Sequence, residues 1–238
     1  HNLGFVLAVG AAQYSKHLLH SQGQTGGTAK GYVEVYEYQE GGSITKIGST
    51  INGDNNYDQF GRSVSLASGV GDTLTLVVGA PTHLHDGVYP FAEGKGQVKV
   101  FQKEGSSDWT QLGSTIIGSP NSFGDTESVG FVDIGYQGKT IIVSSRHHGA
   151  TVYDYANNTW NQRGETIDVG GTWVEDSVSI SKDIKMDGTL STKVVLGGSI
   201  SGFANRISFA YVFEWVGTTH HTLGNPTPAG SWKNDTQG

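Results

Sequence analysis

Residues 60–118 constrain the fold more than any other stretch, because they hold one complete repeat unit and the rest of the chain carries altered copies of it. Four short runs with strand character follow one another: Phe60–Ser68, Leu74–Pro81, Gly96–Phe101 and Trp109–Ile116. Turn-forming residues separate them. The third run alternates small or polar residues with Val and Phe, the period of a strand with one buried face. The second run is apolar on both faces, as a strand packed between two layers must be.

The fourth run recurs at Ile47–Ile51, Arg163–Ile167 and, more weakly, Leu223–Thr227. The second recurs at Val6–Ala12, Ile141–Ser145 and Val194–Gly198, and the third at Gly31–Tyr36, Gly149–Tyr155 and Ile207–Glu214. First runs lie at Phe60–Ser68, Phe123–Ile134 and Trp173–Ser181, and Gly230-Ser231-Trp232 echoes Gly171-Thr172-Trp173. The N-terminal copy opens on a second run, so the pattern predicts one unit split between the two ends. A four-strand unit of about 50–65 residues, repeated radially, is the pattern of a β-propeller, which protects its sheet edges by closing. The expected fold is all-β: a single domain over 1–238, forming a propeller of four-stranded antiparallel blades. Its units are 1–59, 60–122, 123–171 and 172–230, with 231–238 closing onto the first. The alternative is a fragment of a larger propeller.

Composition excludes several functions. A net charge of −7 with no basic run argues against a nucleic-acid partner. No apolar stretch approaches the roughly 20 residues of a membrane-spanning helix. The absence of cysteine removes disulfides, thiolate nucleophiles and thiolate metal sites together. Asn157-Asn158-Thr159 and Asn234-Asp235-Thr236 fit the acceptor pattern for N-glycosylation.

Phe60-Gly61, Gly79-Ala80-Pro81 and Gly96–Phe101 together resemble the FG-GAP repeat of the integrin α-subunit propeller. The resemblance is specific across 60–101 and extends over most of the chain as strand order. Elsewhere Phe123-Gly124 is kept, but Ser144-Ser145 replaces Gly-Ala, and the fourth copy has Trp173 and Gly197-Gly198. Trp109–Ile116 and Trp160–Ile167 look like a variant of this repeat from secreted and surface proteins of marine microbes and algae. The resemblance implies a secreted or cell-surface protein engaged in adhesion or in binding protein or carbohydrate. It also implies Ca²⁺ in loops joining first to second strands, where closely spaced Asp oxygens wrap a hard cation. Only Asp183–Ser191 approximates that pattern, with Asp183 and Asp187 at ligand positions and Lys185 and Ser191 in place of others. A plain turn at Asp187-Gly188 is the competing reading.

Chemistry, if present, rests on histidines. His17, His20, His83, His85, His147 and His148 all follow a second run, and in a propeller those loops open on one face. His83-Leu84-His85-Asp86 has the spacing to chelate a transition metal or to supply an acid/base pair. Polar loop residues without a role are the other reading. The Asp54, Asn56, Tyr57 and Asp58 loop suits hydrogen bonding and stacking against a glycan or peptide, and equally suits a tight turn. Trp109 and Trp160 read as packing residues. Nucleophile-elbow, phosphate-loop and dinucleotide motifs are absent. The pattern therefore points to a non-catalytic recognition or assembly module, presenting loops to a protein or glycan. A hydrolase, lyase or metal-dependent enzyme with a histidine-lined axial pocket is the alternative, and a structural subunit of a larger assembly the third reading.

Overall fold

The computed structural model describes residues 5–12, 30–56, 58–81, 95–118, 129–145, 149–168, 173–184, 190–201, 206–217 and 230–234. These residues build four antiparallel sheets. The first contains β1 (Phe5–Ala11), β2 (Tyr32–Tyr38), β3 (Ile44–Lys46) and β4 (Ile51–Asn52). The second contains β5 (Ser63–Ser68), β6 (Thr73–Ala80), β7 (Gln97–Glu104), β8 (Thr110–Gln111) and β9 (Ile116–Ile117). The third is β10 (Phe131–Ile134), β11 (Thr140–Ser145), β12 (Gly149–Ala156) and β13 (Thr159–Gln162). The fourth is β14 (Trp173–Ile184), β15 (Leu190–Ser201), β16 (Arg206–Gly217) and β17 (Gly230–Asn234). One 3₁₀ turn, Tyr136–Gly138, is the sole helical element among the described residues, and none is long and apolar enough to cross a membrane.

The sequence patterns explain the burial. β11 is buried along its whole length and β6 along most of it, as their two apolar faces require. In β2 and β7 it is the Val positions that turn inward. The fourth run makes an interrupted outer strand: β3 and β4 both pair with β2, and β8 and β9 both pair with β7. Asn157 and Asn158, with φ of 53° and 62°, form the exposed two-residue hairpin turn between β12 and β13. Positive φ at both central residues is the geometry such turns need to match strand twist, and Asn tolerates it.

Consecutive sheets stack face to face, and one set of positions recurs at every junction. Ala8 and Val35 of the first sheet meet Leu76 and Phe101 of the second. Val77 and Val100 of the second meet Ile141 and Tyr153 of the third. Ile142 and Val152 of the third meet Val194 and Phe213 of the fourth. Strand register puts these residues side by side: Ala8↔Val35, Leu76↔Phe101, Val77↔Val100, Ile141↔Tyr153, Ile142↔Val152 and Val194↔Phe213. Among the described residues no comparable packing joins the first sheet to the fourth.

Two further devices recur between sheets. The indole N–H of Trp109 donates to the Ile47 carbonyl at 3.0 Å, that of Trp160 to Leu112 at 2.8 Å, and that of Trp232 to Arg163 at 3.4 Å. Each acceptor precedes a glycine, and at Gly113 (φ 74°) a Cβ would lie 3.0 Å from the Trp160 ring. Side-chain packing, as expected for Trp109 and Trp160, is thus joined by a hydrogen bond to the preceding sheet. The second device is backbone against backbone: Gly10 meets Gly61, and Gly79 meets Gly130. Val129-Gly130 thereby takes in the third sheet the place that Phe60-Gly61 holds in the second, while Phe123-Gly124 lies outside the described residues.

The C-terminal strand departs from expectation. Residues 231–238 are predicted to complete the first sheet, but β17 pairs with β16, in the register Trp215↔Trp232. It is the outer strand of the fourth sheet. Trp232 corresponds to Trp109 and Trp160, because its indole reaches the preceding sheet in the same way, and it packs 5.1 Å from Trp215 between ring centroids.

Candidate functional site

Most of the residues singled out by sequence chemistry lie outside the described residues: His17, His20, His83, His85, Asp86, His147, His148, Tyr57 and Asp187. Among the described residues no group of three or more His, Asp or Glu is placed to hold a metal ion. Asp183 lies in β14, opposite Ser191 of β15. The first and last positions of the calcium-like pattern are therefore cross-strand neighbours.

The described part of the 52–58 loop is bonded into the protein. Asp58 is buried and accepts from the amide N–H and the side-chain Nδ2 of Asn55, both at 3.2 Å. Asp54 receives Lys99 Nζ on both oxygens, at 2.8 and 2.7 Å, and Gln97 Nε2 at 3.3 Å. Lys99 and Gln97 belong to β7, so this loop fastens the first sheet to the second. Asn56 is exposed. An open groove of about 500 Å³ runs between the same two sheets, past Lys46, Ser49, Lys103 and Asp108. The pKa of Asp108 there is held at about 2 by the Ser49 hydroxyl and by the amides of Ser49 and Trp109. The Ser49 amide donates to that carboxylate at 2.8 Å and so ties the first sheet to the second.

The surface that stands out is the outward face of the first sheet. Val6 and Ala8 of β1 pack inward, which turns Phe5, Leu7 and Val9 to the other side, where all three are exposed. Register extends this face across the sheet as Phe5↔Tyr38↔Ile44, Leu7↔Tyr36↔Lys46 and Val9↔Glu34. Leu7 is 53% exposed, although its counterparts Leu76, Ile141 and Val194 are each at 0%. The far face of the fourth sheet mirrors it. Val195 pairs with Val212 across β15 and β16 at the positions of Val77/Val100 and Ile142/Val152, yet Val195 is 41% exposed.

One polar cluster sits on the first face. Glu34 accepts from Lys46 Nζ at 2.7 Å, from the Thr50 hydroxyl at 2.7 Å and from the Tyr36 hydroxyl. These donors, Lys46 foremost, bring its carboxyl down from an ordinary 4.5 to about 2, and the carboxylate in turn raises the Tyr36 hydroxyl. A group whose folded pKa is depressed contributes stability above its unfolded pKa and loses it as pH falls through the folded one. The expected result is that Glu34→Gln lowers the urea midpoint at about pH 6 and that this deficit shrinks as pH falls from about 4.5 toward about 2. A deficit of the same size across that window would contradict it.

No family model and no curated protein matches this chain. Both end faces carry exposed aliphatic side chains on a pleated surface, the first beside the polar cluster of Glu34, Tyr36 and Lys46, and surface of this kind suits packing against another sheet.

Sequence reasoning missed these faces because the letters on them are ordinary. Leu7 and Val9 occupy the same pattern as Leu76 and Val78. Among the described residues, the lack of a sheet lying against them is what sets them apart.

Proposed function

We propose that the chain is a non-catalytic assembly and recognition module, built as an array of β-propeller blades akin to FG-GAP repeats, working in an extracellular or surface setting. It acts by joining a protein partner through its apolar end faces. The observation that carries this reading is the exposure of Leu7 at a position whose counterparts in the other three sheets are fully buried by a neighbour. Arrays of stacked repeats ordinarily end in polar caps, because an uncovered apolar repeat face is insoluble alone. Apolar faces left uncovered among the described residues suit a protein that packs against a partner. The radial arrangement draws support from the repeated sheet order and from glycine pairs that bring successive sheets together at the same point.

The test separates this reading from a histidine-based enzyme. Native mass spectrometry with element analysis, before and after a chelator, is expected to find no stoichiometric transition metal, and an association state that neither the chelator nor His83→Ala alters. A stoichiometric metal lost in His83→Ala, accompanied by hydrolase or lyase activity, would overturn the module reading.

A further inference from the structure

We infer that the partner of the first-sheet face is the fourth-sheet face of a second copy of this chain, an inference that rests on the module reading above. The three internal junctions define what each face accepts. On one side of every junction stands an aliphatic pair without a ring: Ala8/Val35, Val77/Val100 or Ile142/Val152. On the other stands a branched aliphatic residue beside an aromatic ring: Leu76/Phe101, Ile141/Tyr153 or Val194/Phe213. The two uncovered faces supply one of each kind. Leu7/Tyr36 is the aliphatic–aromatic pair and Val195/Val212 the aliphatic one. Joined, they repeat at these central positions the pairing of the internal junctions, without the innermost strand that adds Val64 and Leu66, Val132 and Ile134, or Val178 and Ile180 to the other three.

Among the described residues, no broad packing joins the chain's own fourth sheet to the first. Two first-sheet faces do not match each other either, because every junction inside the molecule pairs unlike faces. The contact is therefore head-to-tail. Heterologous contacts give closed rings when the rotation closes and open filaments when it does not. Two copies bring together eight of the described sheets, four from each, the upper end of the usual range of closed propellers. The expected species is a two-fold ring with two equivalent junctions.

Substitutions on the exposed faces test this without touching the core. Sedimentation velocity of the full chain is expected to show a dimer. Leu7→Lys or Val195→Lys alone, each of which removes both junctions, is expected to weaken it by about tenfold or more in dissociation constant. An equimolar mixture of the two variants keeps one intact junction, between Val195 of the first and Leu7 of the second. It is expected to recover a mixed dimer, which also demonstrates that both variants are folded. Larger species that dissociate with either substitution and give only a mixed dimer in the mixture support the same junction. Three results overturn the inference: a monomer at every concentration, association lost with Leu7→Lys but kept with Val195→Lys, and association indifferent to both. A monomer with strong hydrogen-exchange protection in β1 assigns the cover to the chain's own fourth sheet. None of these outcomes depends on the metal and histidine measurements, so the module reading stands or falls separately.

Discussion

Replacing Arg163 with Leu is expected to cost about 3–5 kcal/mol of folding stability, the range for removing one partner of a buried ion pair. Arg163 is 2% exposed. Its Nε donates to Asp154 Oδ2 at 2.6 Å and its Nη2 to the other carboxylate oxygen, so the guanidinium fork closes on the carboxylate. Nη1 also reaches the Thr192 hydroxyl of the fourth sheet at 2.8 Å and Nη2 the Thr140 hydroxyl at 3.4 Å, while that hydroxyl donates to Asp154 Oδ1 at 2.8 Å. Arg163 also accepts the Trp232 indole through its backbone carbonyl. One side chain thus satisfies the carboxylate and spans the third and fourth sheets. The single substitution leaves the Asp154 charge buried and unpaired, which is where the cost arises. The other repeats solve the same position without charge, by Ile47 and Leu112. Arg163→Leu combined with Asp154→Asn is therefore expected to recover most of the loss, since Asn still bonds Thr140. Urea denaturation of the two variants checks this, and a loss under about 1 kcal/mol for the single change would contradict it.

Gly79→Ala is expected to be more damaging, abolishing the cooperative thermal transition. A Cβ on Gly79 would lie 1.8 Å from the Gly130 carbonyl oxygen, and backbone cannot swing aside as a flexible side chain does. Gly130 is itself crowded, its own Cβ position being 2.7 Å from the Pro81 ring. The Gly-Ala-Pro run therefore sets how closely the second and third sheets approach, and with it the registry of Val77 and Val100 against Ile141 and Tyr153. Gly71→Ala supplies the control: nothing lies near its Cβ position, and the left-handed backbone there (φ 71°) costs about 1–2 kcal/mol. Comparable melting temperatures for the two variants would show that the close approach is not what holds the sheets.

Much of the fold is legible in the sequence, and the reasons are local. Period-2 alternation in Tyr32–Tyr38 and Gln97–Glu104, and doubly apolar runs such as Thr140–Ser145, mark strands by chemistry that acts within a few residues. Assigning a strand to its sheet is a longer-range matter. Gly230-Ser231-Trp232 reads in sequence as an echo of the first run at Trp173. The Trp232 bond to the Arg163 carbonyl, the residue before Gly164, decides for the fourth run. Arg163 reads in sequence as a copy of Leu112, and its burial depends on Asp154 and Thr192, which no spacing rule brings together. The end faces are the extreme case. Leu7 and Leu76 share a pattern and differ, among the described residues, in whether a sheet lies against them.

The most direct measurement is native mass spectrometry of the 238-residue chain across a concentration series, with the Leu7→Lys variant alongside. A metal-free dimer that Leu7→Lys converts to monomer is the expected result. A monomer holding a stoichiometric transition metal, the same in both proteins, would contradict it.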